Sequence, residues 1–187
     1  MRKLILSMGV SLDGLVARRG RHGARGWGLP PDDPALKEHK LEWMRDIGLH
    51  LMGRNTYEEM AAFWPASDDA YAAPMNEIPK VVFSRTLDRA DWPDSRIARG
   101  DLAEEVAALK REDGKDMLAW GGAAFAQSLS SLGLVDEYRL ILQPVALGDG
   151  LPLFKDLTEP LRLELVDART YDTGAALHVY LPAPAAP

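Results

Sequence analysis

A short apolar run that breaks at glycine and passes straight into a helical pattern occurs twice in this chain, and it constrains the fold more than any other feature. The clearer copy is Asp116 to Gly133, DMLAWGGAAFAQSLSSLG. Met117, Leu118, Ala119 and Trp120 form a strand-length run, Gly121-Gly122 makes the turn, and Ala124, Phe125, Leu129 and Leu132 fall on one helical face. In the second copy Leu49 to Met52 reads as a buried strand and Gly53-Arg54-Asn55-Thr56-Tyr57-Glu58-Glu59-Met60 as a glycine turn feeding a helix. Strand, tight turn and helix in that order build a parallel sheet covered by helices.

Such junctions suit an anion. The first N–H groups of a helix lack intrahelical partners, the macrodipole is positive there, and glycine lets a phosphate approach the backbone. The plainer reading is that glycine serves only a turn of unusual φ and close strand-helix packing. Arg54 adds a guanidinium that can grip phosphate with two hydrogen bonds. Its plainer counterpart is a helix capped by Asn55 and Thr56, with Arg54 in solvent.

The remaining elements fit the same plan. Lys3 to Met8 is apolar without alternation, as expected of a central strand covered on both faces. Asp13-Gly14 marks a turn between apolar residues, read equally as cleft lining or as a simple hairpin-like turn. Residues 18 to 33 form a long loop whose arginines, Arg18, Arg19, Arg21 and Arg25, contact either an anion or water. Asp33 is a good N-cap and Pro34 suits the first helical position, with Leu36, Lys40, Trp43, Met44 and Ile47 carrying the helix to Gly48. Pro65 to Pro79 reads as a connection, Lys80 to Phe83 as a third strand ending in Ser84-Arg85-Thr86, and Arg96 to Ala98 as a brief fourth. Asp101 caps a helix from Leu102 to about Asp113 that buries Leu102, Val106 and Leu109. Beyond Gly133, Val135 to Gln143, Leu161 to Tyr171 and Ala175 to Leu181 are strands without long helices between them, so antiparallel strands finish one edge of the sheet.

The expected architecture is therefore one α/β domain over residues 1–182, a mostly parallel central sheet with antiparallel C-terminal edge strands and helices on both faces, followed by a flexible tail at 183–187. The chain of 187 residues can bury a substantial core without disulfides or metal. It contains no cysteine, which excludes thiolate chemistry and cysteine-ligated metals. A net charge of -6 argues against general binding to nucleic acid or an anionic membrane. Leu4 to Met8 is too short for a signal peptide or membrane span, so a cytoplasmic protein is expected.

The chemistry narrows by elimination. The four histidines, His22, His39, His50 and His178, show no metal-ligand spacing, so no metal site is expected. Neither a nucleophile elbow GxSxG nor a P-loop occurs, and the usual dinucleotide fingerprint GxGxxG is missing as well. What stands at the carboxyl ends of the strands is glycine, serine, threonine and arginine. Gly53-Arg54-Asn55-Thr56, Ser84-Arg85-Thr86 and Gly121-Gly122 would line one groove suited to a dinucleotide, with redox chemistry supplied by the bound cofactor.

Leu29-Pro30-Pro31-Asp32, the following helix, Leu51-Met52-Gly53-Arg54-Asn55-Thr56-Tyr57-Glu58, Phe83-Ser84-Arg85 and Trp120-Gly121-Gly122 resemble, in order, the landmarks of the dihydrofolate reductase fold. Ser11-Leu12-Asp13-Gly14 and Pro144-Val145-Ala146-Leu147-Gly148-Asp149-Gly150-Leu151-Pro152-Leu153-Phe154 are more similar to the reductase domain of the bifunctional deaminase-reductase of riboflavin biosynthesis, here free-standing. The resemblance implies an NADPH-dependent reductase of a small heterocyclic or carbonyl substrate, or a catalytically silent nucleotide-binding or scaffold protein of the same fold. It also implies a homodimer formed through the C-terminal edge. Gly53, Arg54 and Thr56, with Ser84 and Arg85, would hold the adenosine side and its extra phosphate. Gly121, Gly122, Ala123 and Ala124 would cradle the pyrophosphate, and Met8, Val10 and Leu15 would wall the nicotinamide. Asp32 would be the catalytic and substrate-binding carboxylate beside Trp27, although Asp32-Asp33-Pro34 is also an ordinary helix start. The riboflavin-pathway reductases carry a lysine and an acid where this chain has Ser7 and Trp120.

Overall fold

The computed structural model describes residues 1–18, 27 and 33–183. The chain runs β1 (Leu4–Ser11), β2 (Leu15–Ala17), α1 (Pro34–Met44), β3 (Ile47–Gly53), α2 (Arg54–Phe63), a 3-10 turn (Trp64–Ala66), α3 (Ala72–Glu77), β4 (Lys80–Phe83), β5 (Ser95–Ala98), α4 (Leu102–Arg111), β6 (Asp116–Trp120), α5 (Ala123–Ser131), β7 (Glu137–Gln143), β8 (Leu151–Pro152), β9 (Leu163–Thr170) and β10 (Ala176–Pro182). Eight strands form one sheet in the order β5-β4-β3-β6-β1-β7-β10-β9, while β2 and β8 pair separately. The strands from β5 to β7 are parallel, and β10 and β9 close one edge antiparallel. β1 is central and buried along nearly its whole length, as its unbroken apolar run requires.

The period of two along each strand sorts the core between the two faces. Leu51, Val81 and Ala119 belong to a cluster with Leu4, Leu6 and Met117, closed by Val106 and Leu109 of α4 and Ala126 and Leu129 of α5. Their chain neighbours Met52 and Val82 join Met44, Tyr57, Met75 and Trp92 in a second cluster, with Trp120 packed against it. Helices thus cover both faces, as the pattern predicts.

Several boundaries differ from the sequence expectation. Helix α1 stops at Met44, with Arg45 and Asp46 N–H groups tightening onto Glu42 and Trp43, because Ile47 and Gly48 are drawn into β3, where Ile47 registers against Asp116. In α5 the buried face is Ala126, Leu129 and Ser130 with Phe125 partly covered, whereas Ala124 and Leu132 are exposed. Leu132 is already the C-cap, so the helical spacing no longer applies to it. The stretch from Pro65 to Pro79 contains α3, whose Met75 is fully buried. No described helix is long and apolar enough to cross a membrane.

Candidate functional site

The strand order brings the glycine and arginine turns side by side. β4, β3, β6 and β1 are consecutive neighbours, so Ser84-Arg85, Gly53-Arg54, Gly121-Gly122 and Met8 line up along the carboxyl edge of four adjacent strands. Gly53 is registered against Phe83, and Ser7 against Trp120. This edge is where open parallel sheets bind ligands.

Four longer helices begin at this edge, and they begin differently. At α1 the Asp33 carboxylate accepts from the Ala35 and Leu36 N–H groups, and at α4 Asp101 accepts from Ala103 and Glu104. The N-caps of α2 and α5 are Gly53 and Gly122, and neither has a side-chain cap. The orphan donors of these two helix ends are therefore not taken up by a side chain at the cap. Asn55 and Thr56 do not cap α2, contrary to the plainer sequence reading. The Thr56 hydroxyl instead donates to the Gly121 carbonyl at 2.6 Å, tying the two open turns together.

Arg54 is not simply in solvent either. Its Nε donates to Glu58 Oε1 at 2.8 Å and its Nη1 to Thr86 Oγ1 at 2.9 Å, which fixes the guanidinium between the start of α2 and the turn after β4. Ser84 Oγ accepts from the Thr86 and Leu87 N–H groups, shaping that turn, and Arg85 is exposed beside it. The glycines allow close approach. A Cβ at Gly121 would stand 2.6 Å from Met8 Cε, and one at Gly122, whose φ is +104°, 2.8 Å from Thr56 Oγ1. Ala123 and Ala124 form the first turn of α5, Ala123 partly covered and Ala124 exposed.

β1 continues beyond the end of β6. Its pairing with β6 ends at Ser7 opposite Trp120, while its pairing with β7 runs on to Ser11 opposite Gln143. Met8 and Val10 thus stand on a stretch of β1 that has left β6, and Met8 lies against the Gly121 turn. The chain then turns at Asp13-Gly14, where the Asp13 carboxylate accepts from Ser11 Oγ and from the Leu147 and Gly148 N–H groups. These bonds, led by the Ser11 hydroxyl, hold the Asp13 pKa down to about 2. The SLDG turn and the 144–154 segment, far apart in sequence, form one structure, and the pairing of β2 with β8 completes it. Leu15 lies in that structure, with its Cδ1 3.2 Å from where a Gly150 Cβ would be.

On the opposite side of β6, a cavity of about 430 Å³ opens between α1, α2 and α3, lined by Lys37, Lys40, Met44, Met60, Phe63, Trp64, Asp69, Tyr71, Met75 and Trp120. Trp120 is held by a residue that sequence inspection left unassigned. Its indole N–H donates to His50 Nδ1 at 2.9 Å, and since an indole only donates, the His50 proton sits on Nε2, facing the Pro74 carbonyl at 3.3 Å. His50 is fully buried, and that burial pulls its pKa down to about 4. The signal in the sequence was one histidine inside the apolar run Leu49-His50-Leu51.

Trp27 is buried and its Nε1 has no hydrogen-bond partner among the described residues. Neither Trp27 nor Leu15 is among the residues lining this cavity, to which the helix after Pro34 contributes Lys37, Lys40 and Met44. Asp32 lies outside the described residues, as does most of the arginine-rich loop. Asp33 beside it is a cap, and its second oxygen accepts from the Thr173 N–H. No group of three or more histidines and acids that could hold a metal occurs among the described residues.

Comparison with known proteins identifies the family and the fold. The model of the RibD C-terminal domain matches residues 2–177. The chain belongs to the RibD C-terminal domain family. The Bacillus subtilis protein YyaP is 32% identical over 184 residues, covering 96% of this chain and 94% of YyaP. Among solved structures, the RibD-like fold is shared with a putative riboflavin biosynthesis protein from Shewanella, at a TM-score of 0.78 and 23% identity over 97% of this chain and 99% of that one. Dihydrofolate reductase from Enterococcus faecalis, complexed with NADP(H), superposes with a TM-score of 0.63 at 16% identity, covering 97% of each chain. The fold of this RibD-family chain is dihydrofolate reductase-like, as the sequence landmarks imply.

Proposed function

We propose that the protein is an NADPH-dependent reductase of a small heterocyclic or carbonyl substrate. The observation that carries this reading is the pair of glycine-started helices, α2 and α5, whose uncapped N-termini are tied together by Thr56 beside a fixed Arg54. Two positive helix ends and a guanidinium match a ligand with several phosphates. Gly121, Gly122, Ala123 and Ala124 would hold the pyrophosphate, while Gly53, Arg54, Ser84 and Arg85 would hold the adenosine side and its additional phosphate. Thr56 would act mainly by fixing the distance between the two turns. Met8, Val10 and Leu15 would wall the nicotinamide, which when bound supplies the hydride. Reductases in the family and the NADP(H) complex of the Enterococcus enzyme support the same reading.

A direct titration tests it. Quenching of the five tryptophans should saturate with NADPH at concentrations well below those needed for NADH. Equal affinity for both, or no saturation with either, overturns the reading.

A catalytically silent nucleotide-binding protein is the second reading, and one observation favours it. Asp69, the acid that lines the cavity among the described residues, is held in an ion pair with Lys37 at 2.6 Å and is committed to structure. NADPH binding without consumption in the presence of pterins, pyrimidines and quinones would decide for it. We further propose a homodimer through β9, an edge strand with Leu165 and Val166 about half exposed. A monomeric mass in light scattering at tens of micromolar protein would rule that out.

A further inference from the structure

The turn after β4 is held through its backbone carbonyls by two guanidinium groups. β5 is the edge strand of the sheet, and its pairing with β4 ends at Ala98 opposite Phe83, so Arg99 and Ser84 leave the sheet side by side. The Ser84 N–H still reaches the Ala98 carbonyl at 3.2 Å. Arg99 Nη2 donates to the Leu87 carbonyl at 2.6 Å and to the Asp88 carbonyl at 3.2 Å, and its Nη1 faces the Arg85 carbonyl at 3.5 Å. The carbonyl between these, that of Thr86, accepts from Arg54 Nη1 at 3.3 Å. The N–H groups of Thr86 and Leu87 go instead to Ser84 Oγ, at 3.2 and 3.0 Å.

Each carbonyl from Arg85 to Asp88 thus faces a guanidinium. Arginine suits this role because its planar fork presents donors in several directions, whereas the donors of a lysine radiate from one atom. What Arg99 leaves undone is as informative. It makes no ion pair with the described residues, and the acids that follow it in the chain are engaged elsewhere. Asp101 caps α4, and Glu105 Oε1 accepts from the Gly100 N–H at 3.3 Å. The Arg85 side chain is exposed and has no polar partner among the described residues. Arg99 therefore brings a charge that no carboxylate cancels, and it fixes the backbone from which Arg85 extends. An exposed turn beyond the end of its strand has little packing to order it, and ordering it only when a ligand arrives would cost affinity.

We propose that Arg99 is a positioning residue, which presents the 84–88 turn as a preformed receptor for a phosphate monoester and on which the preference for a nucleotide carrying that group depends. The inference rests on the cofactor reading above, which gives Ser84 and Arg85 the additional phosphate and gives Arg99 no part.

Calorimetric titration of the full chain with adenosine 2′,5′-bisphosphate and with adenosine 5′-monophosphate tests it, because the two probes differ only in one phosphate monoester. The wild-type chain should prefer the bisphosphate by about tenfold or more. Arg99→Ala should bring the two affinities within a factor of about three, and Arg99→Lys, which keeps the charge and loses the fork, should do nearly the same. Hydrogen exchange on the ligand-free protein supplies a readout independent of any nucleotide. In both variants the Thr86 and Leu87 amides should exchange faster, while those of β3 and β6 keep their protection. A preference that survives Arg99→Ala overturns the inference alone. A preference fully restored by Arg99→Lys does so as well, since charge would then be sufficient without the fork, and so does a lost preference with the turn amides as protected as before. A wild-type chain that binds neither probe, or both equally, overturns the cofactor reading, and the inference falls with it.

Discussion

The helices α1 and α4 and the helices α2 and α5 begin at the same edge of the same sheet, yet the first pair is closed and the second open. Asp33 and Asp101 each place a carboxylate on two N–H groups, bringing both a hydrogen-bond acceptor and a negative charge to the positive end of the helix. Gly53 and Gly122 bring neither. An aspartate at a helix start is a local solution to a local problem. A glycine there leaves the same problem to something outside the helix, and in this chain two such starts are joined by the Thr56–Gly121 bond with Arg54 at the beginning of one of them.

The largest effect expected concerns the strand that delivers the open α5 turn. His50 is neutral and buried beside β6, with its pKa lowered from 6.5 to about 4. In the unfolded chain it takes up a proton through the range between those values, so its contribution is intact above pH 6.5 and is lost as pH falls toward about 4. The full loss amounts to about 3 kcal/mol. Urea unfolding at pH 7 and at pH 4.5 measures it, and His50→Gln should reduce the slope without abolishing the bond to Trp120. A slope unchanged in that variant would assign the acid sensitivity elsewhere.

Gly122→Ala should cost about 1–3 kcal/mol, because the backbone there lies at positive φ and the new methyl meets Thr56 Oγ1. It should also lower NADPH affinity. Unfolding and nucleotide titration on the same variant separate the two effects, and unchanged stability would mean that the turn relaxes freely. On the proposed cofactor reading, in which the extra phosphate engages the guanidinium, Arg54→Ala should weaken NADPH by about 10–100-fold and leave NADH within a factor of about three. Stability should hardly change, because the pair with Glu58 is exposed and on the order of 0.5 kcal/mol at most. Equal loss for both nucleotides would mean that Arg54 serves the pyrophosphate.

The smallest effect isolates the closed pair. Asp101→Ala should lose about 1 kcal/mol of stability and leave nucleotide affinity unchanged. If affinity also fell, the contrast between closed and open helix starts would not be the one that matters.

Much of the parallel core was legible in the chain. Leu51-Met52, Val81-Val82 and Ala119-Trp120 announce strands buried on both faces, and Asp33-Pro34 and Asp101 announce helix starts, because these depend on neighbours a few residues apart. The glycine turns were legible as turns, and the resemblance named what they would hold. Less visible were contacts that cross the sheet. Thr56, read as a cofactor contact or else as a cap for its own helix, donates to the Gly121 carbonyl 65 residues away. Asp13 looked like half of a turn signal and clamps the backbone at Leu147 and Gly148. His50 carried a hint in its apolar surroundings, but not its partner.

The sequence by itself determined the alternation of strands and helices, the faces that must be buried and the two helices that begin without an acidic cap. Periodicity and capping act over distances of a turn or a pleat, so they can be read along the chain. Tertiary structure alone decided that β6 enters between β3 and β1, which sets Gly121-Gly122 against Met8 and ties it to Thr56. It also decided that Trp120 leans on His50 and bounds a cavity between three helices, since hydrogen bonds between distant residues exist only once the strand order has brought them within reach.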